Sequence, residues 1–255
     1  MLFRSQPVVR AGPARGAGAL GERQLVGAEA LLRWQHPQDG LLMPDRFIPV
    51  AEDCGLIRPL GAWMIERAIS QVGAWRRAKI GADALWFAIN VSALELAQGD
   101  AYVAQLSDAL AANGVPGRAI ELEVTERVLM SNLAENVATL HKIGRLGVRV
   151  AIDDFGTGYS SLAYLRQLPI DKLKIDRSFL RELEAHPDDE TIVQTIGAMA
   201  IALGLRVAAE GVESEAQLAR LVALGCDEWQ GHHYSPPLEA VGFESLFMKK
   251  TALAG

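Results

Sequence analysis

The sequence predicts an α/β fold, and within that class a TIM-type (β/α)8 barrel, from three observations. Short β-like runs alternate with helix-like segments along most of the chain, which indicates βα units around a mainly parallel sheet. Eight such runs in 255 residues fit a closed barrel better than a doubly wound sheet. No glycine-rich nucleotide fingerprint follows the first run, which disfavours the open sheet.

The predicted strands begin with FRSQPVV near the amino terminus. Seven further runs follow: LVGAEALLRW, LWFAINVS, AIELEVTE, VRVAIDDF, KLKIDRSF, LRVAAEGVE and DEWQGHHYS. Helical patterns separate them, often ending at Gly or Pro, at roughly 60–79, 97–113, 131–146, 158–167, 189–204 and 214–224. Residues 11–24 are rich in Gly and Ala and predict a flexible loop.

Composition narrows the class of protein. Half of the residues are hydrophobic, enough for one large core, and the formal charge of −6 argues against a general surface for polymeric nucleic acid. No apolar stretch approaches the roughly 18 residues of a membrane span, so we expect a cytoplasmic segment without membrane contact. Cys54 and Cys226 lack zinc-site spacing and predict reduced thiols. Because the chain starts almost directly in a strand, we expect a domain cut from a longer protein.

The alternation within each predicted strand selects the side chains that face the barrel interior. In one strand Ile120, Leu122 and Val124 share a face, which leaves Glu121 and Glu123 on the other. The apolar face of a barrel strand meets the helices, and the opposite face points into the lumen. The same rule sends a set of polar side chains inward, late in their strands, where barrel active sites lie: Glu29, Asn90, Glu123, Asp153, Lys174 and Glu210.

The inward set, extended by Asp154, consists mostly of oxygen donors. Packed together without cations, these carboxylates would repel one another and lose their charges. Mg²⁺ or Mn²⁺ removes this conflict, and oxygen ligands suit these hard ions better than zinc. Two such ions about 3.5–4 Å apart can share Asp153 as a bridge, activate a water and clamp the oxygens of an in-line phosphoryl displacement. Lys174 can orient the nucleophile, and Arg33 can grip a phosphate.

Other interpretations of these residues remain open at this point. A single carboxylate at a strand end is usually a cap or a surface group, and Lys174 can be a solvated lysine or the Schiff-base residue of an aldolase-like barrel. The triplet Asp154-Phe155-Gly156 matches a kinase motif, but the other kinase loops are missing. His232 and His233 are adjacent on a predicted strand and so face opposite ways, which disfavours a metal role.

The motifs together resemble the EAL-domain family of cyclic di-GMP phosphodiesterases, whose name-giving tripeptide stands here as Glu29-Ala30-Leu31. The likeness covers nearly the whole chain, so residues 1–255 are expected to form a single EAL domain of a longer signalling protein. It rests on motifs in a fixed order: QPVV, GAEALLRW, HPQDGLLMPDRFIPVAEDCGLI, NVS, ELEVTE, DDFGTGYSSL, LPIDKLKID, AAEGVE and QGHHYSPPL.

The resemblance implies a modified barrel whose first strand runs antiparallel to the others. It also implies hydrolysis of cyclic di-GMP to linear pGpG with two Mg²⁺ or Mn²⁺ ions per site, and inhibition by Ca²⁺. The first metal would be held by Glu29, Asn90, Glu123 and Asp153, and the second by Asp153, Asp154 and Glu210. Lys174 would position the attacking water, with Glu210 as an alternative general base. Further residues would line the dinucleotide pocket: Gln6, Leu32, Arg33, Glu213 and Gln230.

The resemblance also bears on assembly and regulation. Glu126 matches a glutamate that steadies the loop beginning at Asp153, through Ser160, and this region commonly supports homodimers. GGDEF, PAS or receiver domains often share a chain with this family. A receptor that binds the nucleotide without cleaving it is the alternative function, although such receptors often lack metal residues that are all present here. Three departures touch the pocket rim: His232 replaces an aromatic residue, Pro236 replaces a basic one, and the 11–24 loop is long.

Overall fold

A computed structural model describes residues 1–11, 23–80, 85–157, 165–181 and 187–253. Eight of the strands in these ranges close into a barrel in the order β1-β9-β8-β7-β6-β5-β4-β2, with β1 also paired to β2. A further short strand, β3, pairs with the end of β2 outside the barrel. The strands are β1 Leu2–Ala11, β2 Arg23–His36, β3 Gly40–Leu42, β4 Trp86–Asn90, β5 Ile120–Thr125, β6 Arg149–Phe155, β7 Lys172–Ile175, β8 Arg206–Ala209 and β9 Glu228–Trp229.

The direction of β1 distinguishes this barrel from a regular one. It runs antiparallel to both neighbours, β2 and β9, whereas the remaining barrel pairs, from β2 through β4 to β9, are parallel. The predicted modified TIM barrel with an antiparallel first strand is therefore confirmed. A residue directly opposite another in an antiparallel pair shares its face, and Gln6 lies opposite Glu29.

Helices cover the outside of the barrel and bury the apolar strand faces. They are α1 Ile48–Asp53, α2 Ile57–Arg77, α3 Ala93–Leu96, α4 Asp100–Asn113, α5 Glu126–Ser131, α6 Leu133–Arg145, α7 Ser178–Arg181, α8 Pro187–Leu203, α9 Glu215–Ala223 and α10 Ala240–Leu253. Ile120, Leu122 and Val124 are fully buried in the main core, as the alternation of β5 predicts. Within the described ranges, no helix is both long and apolar enough to cross a membrane.

A small apolar layer fills the middle of the lumen. Val8, Val26, Trp86 and Ala88 form a buried cluster separate from the main core. A Cβ atom on Gly27 would lie only 2.5 Å from the Trp86 ring, so glycine is the residue that lets this indole fit inside the barrel. Trp86, Ala88 and Asn90 share one strand face, which makes this layer the floor beneath the polar strand ends.

A cluster of buried ion pairs lies on the other side of this floor, and we call it the base cluster. Lys172 Nζ is 2.6 Å from Glu121 Oε1 and 2.7 Å from Glu228 Oε2, and it lies 3.7 Å from the centre of the Trp86 ring. Three arginines complete the cluster around the two carboxylates: Arg10, Arg149 and Arg206. Glu121, Lys172 and Glu228 are each at most 1% exposed. Both carboxylates of the base cluster are therefore paired with cations of the protein.

Several sequence predictions need correction. The predicted strand DEWQGHHYS is only Glu228–Trp229, and His232 and His233 lie in a turn. The predicted helix at 97–113 starts later, at Asp100, because Gly99 with φ +57° interrupts the helical backbone just before α4. The loop predicted at 11–24 is shorter, since β1 includes Ala11 and β2 starts at Arg23; residues 12–22 lie outside the described residues. Residues 158–164 of the predicted 158–167 helix also lie outside the described residues.

Candidate active site

The polar residues predicted to face the lumen do meet at the carboxyl ends of the barrel strands. Asn90 ends β4 and stands beside Glu123 of β5, and the backbone amide of Glu210 continues the β7–β8 ladder by donating to Ile175. Parallel strands place equivalent ends at one edge of a sheet, which explains why residues far apart in sequence converge. We call the charged members the mouth cluster: Glu29, Glu123, Asp153, Lys174 and Glu210.

Lys174 lies at the centre of the mouth cluster. Its Nζ is 2.6 Å from Glu123 Oε2 and 3.2 Å from Asp153 Oδ1. It also contacts Glu210 Oε1, and Glu29 Oε2 is 4.0 Å away. The lysine is 3% exposed. Burial works against its charge, but the four carboxylates outweigh this effect and hold its pKa well above the ordinary range.

One lysine cannot balance four carboxylates, and the acid side chains reflect this. Burial raises the pKa of Glu123 well above its usual range, and Glu29 and Asp153 add to the effect against the attraction of Lys174. Burial and Asp153 likewise raise the pKa of Glu210. Groups with strongly shifted pKa values from burial and like charge mark a functional site.

Glu29 is held in place by two amide side chains. Asn90 Nδ2 donates to Glu29 Oε1 over 2.6 Å, and Gln230 Nε2 donates to Glu29 Oε2 over 2.5 Å. Burial opposes ionisation of Glu29, but Lys174 and these hydrogen bonds outweigh it and lower its pKa. Gln230 also reaches Glu210 Oε1 at 3.4 Å, so it links two carboxylates of the cluster.

The oxygen atoms of the mouth cluster are arranged to bind a cation. One carboxylate oxygen from each of Glu29, Glu123 and Glu210 lies within 4.8 Å of the others. Glu123 Oε2 and Asp153 Oδ1 are buried, and among the described residues both face the Lys174 ammonium group. Buried carboxylate oxygens that outnumber the cations of the protein around them fit a hard divalent cation.

Asp154 is directed away from its strand by an irregular backbone. Its φ of +53° is left-handed, which is uncommon outside glycine, and the β6–β7 register shifts between Ile152 and Phe155. The pKa of Asp154 is raised to about 6, first by burial and then by Asp153 and Asp176. Asp176 lies near this carboxyl group, and the metal-site prediction omitted Asp176 although it is two residues after Lys174 on the same side of the run KLKID.

The remaining predicted site residues occupy the rim. Arg33 is buried, and its Nη1 donates to the Leu32 carbonyl over 2.7 Å. Burial lowers the pKa of Arg33, as does the nearby Arg4. Glu213 is exposed, and its amide donates to Gln217.

The predicted loop-stabilising pair is only partly within the described residues. Glu126 is buried at the start of α5, and its Oε2 accepts no hydrogen bond in the described part of the chain. Ser160 lies outside it. Of the two histidines, His232 is exposed, whereas His233 Nε2 lies 2.6 Å from Glu215 Oε2 on the outer surface.

Comparison with known proteins decides the family. The sequence model of the EAL domain family matches residues 16–237. The chain belongs to the EAL domain family. It is 43% identical, over 85% of its length, to the bifunctional diguanylate cyclase/cyclic di-GMP phosphodiesterase MucR of Pseudomonas aeruginosa, and 44% identical over 89% to the cyclic di-GMP phosphodiesterase NbdA of the same species. It spans only 31% and 29% of these two relatives.

A solved structure agrees with the family assignment. The MucR phosphodiesterase in complex with c-di-GMP superposes with a TM-score of 0.86 at 40% identity, over 94% of this chain and 93% of that one. The same fold that carries the mouth cluster has therefore been solved in complex with a cyclic dinucleotide in this similar protein.

Proposed function

We propose that this chain is a metal-dependent phosphodiesterase that hydrolyses cyclic di-GMP to linear pGpG. The observation that carries the proposal is the mouth cluster, in which four carboxylates surround one lysine at the carboxyl ends of an EAL-type barrel. The names of the relatives MucR and NbdA supply the substrate class.

Each residue of the site has a role in this proposal. Glu29, Asn90, Glu123 and Asp153 hold one metal ion, and Asp153, Asp154 and Glu210 hold the second. Mg²⁺ or Mn²⁺ bound there supplies Lewis-acid activation of water and of the phosphodiester. Ca²⁺ is expected to inhibit, because its longer and less regular coordination changes the placement of the same oxygens.

The protein's own groups handle the proton and the substrate. Glu210 contacts Lys174 in the middle of the site and is the proposed acceptor of a proton from the attacking water. Lys174 Nζ lies beside Glu210 and Asp153 and donates a hydrogen bond to that water. Arg33 binds a phosphate group, while Gln6, Leu32, Glu213 and Gln230 line the pocket for the dinucleotide.

Assembly and context form the outer part of the proposal. The chain acts as one EAL domain, residues 1–255, of a longer cytoplasmic signalling protein that carries GGDEF, PAS or receiver domains. It forms a homodimer in which Glu126 and Ser160 fix the loop after Asp153. Sedimentation velocity of the purified chain measures the dimer, and a purely monomeric active protein contradicts it.

Hydrolysis of cyclic di-GMP by the purified chain with Mn²⁺ tests the function. Chromatography should show pGpG appearing as cyclic di-GMP disappears, with the reaction stopped by EDTA or Ca²⁺. Tight binding of intact cyclic di-GMP by dimeric protein without turnover would contradict the proposal and favour a receptor. Trapping of a substrate on Lys174 by borohydride would favour a Schiff-base enzyme instead.

A further inference from the structure

Two lysines on β7 occupy contrasting electrostatic environments. Lys172 and Lys174 are both almost fully buried, and one intervening residue places them on the same strand face. Lys172 meets two carboxylates and the face of Trp86. Lys174 meets four carboxylates. The environment of Lys172 is satisfied by protein groups, whereas that of Lys174 holds an excess of negative charge.

The atoms that bind Lys174 are largely the atoms that would bind a metal. Glu123 Oε2, Asp153 Oδ1 and Glu210 Oε1 all lie in contact with its Nζ. An ammonium group and a divalent cation cannot both occupy the centre of the same carboxylate oxygens. Every ion that enters must therefore weaken these ion pairs.

The lumen also offers space beside Lys174. A narrow cavity of about 10 Å³, roughly the room of one water molecule, lies between the mouth cluster and the base cluster. Both lysines line it, together with Val8, Trp86 and Ala208. The ammonium group of Lys174, at the end of a flexible stem, can shift toward a water in this space while the strands stay in place.

We propose that Lys174 is a built-in counter-ion that competes with the metal for the mouth-cluster carboxylates and so sets the metal affinity of the site. This inference rests on the metal dependence in the proposed function. Before metal arrives, the ammonium group keeps the four carboxylates together. When a divalent cation takes over their oxygens, Lys174 moves aside and its Nζ is released to contact water. The lysine thus lowers the affinity of the site for metal, and it also stabilises the folded site when no metal is bound.

The test is a calorimetric titration of Mn²⁺ into the purified chain without nucleotide. Lys174→Gln keeps hydrogen-bond donors but removes the charge, and should bind Mn²⁺ at least about tenfold more tightly than the wild type because a competing cation is gone. Lys174→Met should behave likewise. Lys174→Arg keeps the charge and should stay close to the wild type. Lys172→Gln removes the same charge two residues away and is the matched control, with little change in affinity.

A second measurement covers variants that fold poorly. The thermal midpoint of metal-free Lys174→Gln and Lys174→Met should fall below that of the wild type, and saturating Mn²⁺ should raise it more than it raises the wild-type value. Rescue of an unfolded variant by Mn²⁺ supports the proposal in the same way.

The outcomes separate this inference from the proposed function. Equal or weaker Mn²⁺ binding by Lys174→Gln, alongside a wild type that binds Mn²⁺, overturns the counter-ion role and leaves the phosphodiesterase proposal intact. Equal tightening by Lys172→Gln also overturns it, because the effect would then be a general change in net charge. Absence of Mn²⁺ binding by the wild type and all variants contradicts both proposals.

Discussion

The barrel buries carboxylates at both ends, but only at the base do enough cations of the protein surround them. In the base cluster two carboxylates, Glu121 and Glu228, meet one lysine and three arginines. In the mouth cluster four carboxylates meet one lysine. The effect on pKa is opposite as well, since the pKa of Glu228 is lowered and that of Glu210 is raised.

This difference shows which property marks a functional site in the fold. Burial does not separate the two clusters, because Glu121 and Glu123 are both almost inaccessible. The identity of the strands does not separate them either, since β5 and β7 each supply a residue to both clusters. The balance of charge does separate them, because buried carboxylates in excess either take up protons or bind a cation from outside the chain.

The same substitution at each end should give opposite phenotypes, and the largest effect is expected at the mouth. Glu210→Gln removes the proposed proton acceptor and should lower the turnover of cyclic di-GMP by roughly 10³-fold. The affinity for the dinucleotide should be nearly unchanged. The thermal midpoint should also stay close to the wild-type value, because the substitution removes one carboxylate from a cluster that has too many. Turnover is measured by chromatography and binding by calorimetry. Normal turnover would show that the role given to Glu210 is wrong.

At the base, Glu228→Gln should affect stability instead of turnover. It leaves Lys172, Arg206 and Arg10 without a shared partner and should lower the free energy of unfolding by about 3 kcal/mol or more. Urea unfolding measures this loss. The kcat of the folded variant at low temperature should match the wild type, and a large fall in kcat would contradict the division between the two clusters.

The base cluster should also govern part of the acid stability. Burial opposes the charge of Glu228, but Lys172 and Arg206 outweigh it and lower its pKa from 4.5 to about 2. Between these values the unfolded chain binds a proton that the folded protein does not, so stability falls as the pH falls. The full contribution is about 3 kcal/mol above pH 4.5. Urea titrations at pH 5, 4 and 3 should show a shallower decline for Glu228→Gln, and parallel curves would contradict the assignment.

The smallest effect is expected at the exposed edge of the base cluster. Arg10 contacts Glu228 at 2.8 Å, but 44% of its side chain is accessible to solvent. Water screens such a pair, and Arg206 and Lys172 still hold the carboxylate. Arg10→Gln should therefore cost less than about 1 kcal/mol in urea unfolding. A loss as large as that of Glu228→Gln would show that the arginine acts as a buried partner.

Strand alternation predicted much of this arrangement and left specific parts unpredicted. The period of two placed Glu123 and Lys174 inside the barrel because each β-strand turns alternate side chains to one face. It also placed Glu121 and Lys172 inside. The partners of these residues depend on how distant strands close the barrel, which no local pattern encodes. The contact of Lys172 with Glu228, across two strands, is therefore a finding of the structure.

Irregular backbone accounts for the other omissions. The run VRVAIDDF continues through Phe155 as a strand should, so its pattern does not reveal the left-handed conformation of Asp154. Gln230 follows a strand of two residues, too short for any alternation, and only the family resemblance indicated its place in the site. Its bonds to Glu29 and Glu210 arise from tertiary structure.

The closed base of the barrel has a consequence for the order of events at the site. Among the described residues, the lumen below Trp86 is filled by Glu121, Lys172 and Glu228, which are inaccessible to solvent. In the part of the chain that the structure describes, the carboxylates above them are thus accessible only from the mouth side of the barrel. A large ligand seated on the rim would cover that entrance. Under the proposed function, metal ions would therefore enter before the dinucleotide and exchange only after the product has left.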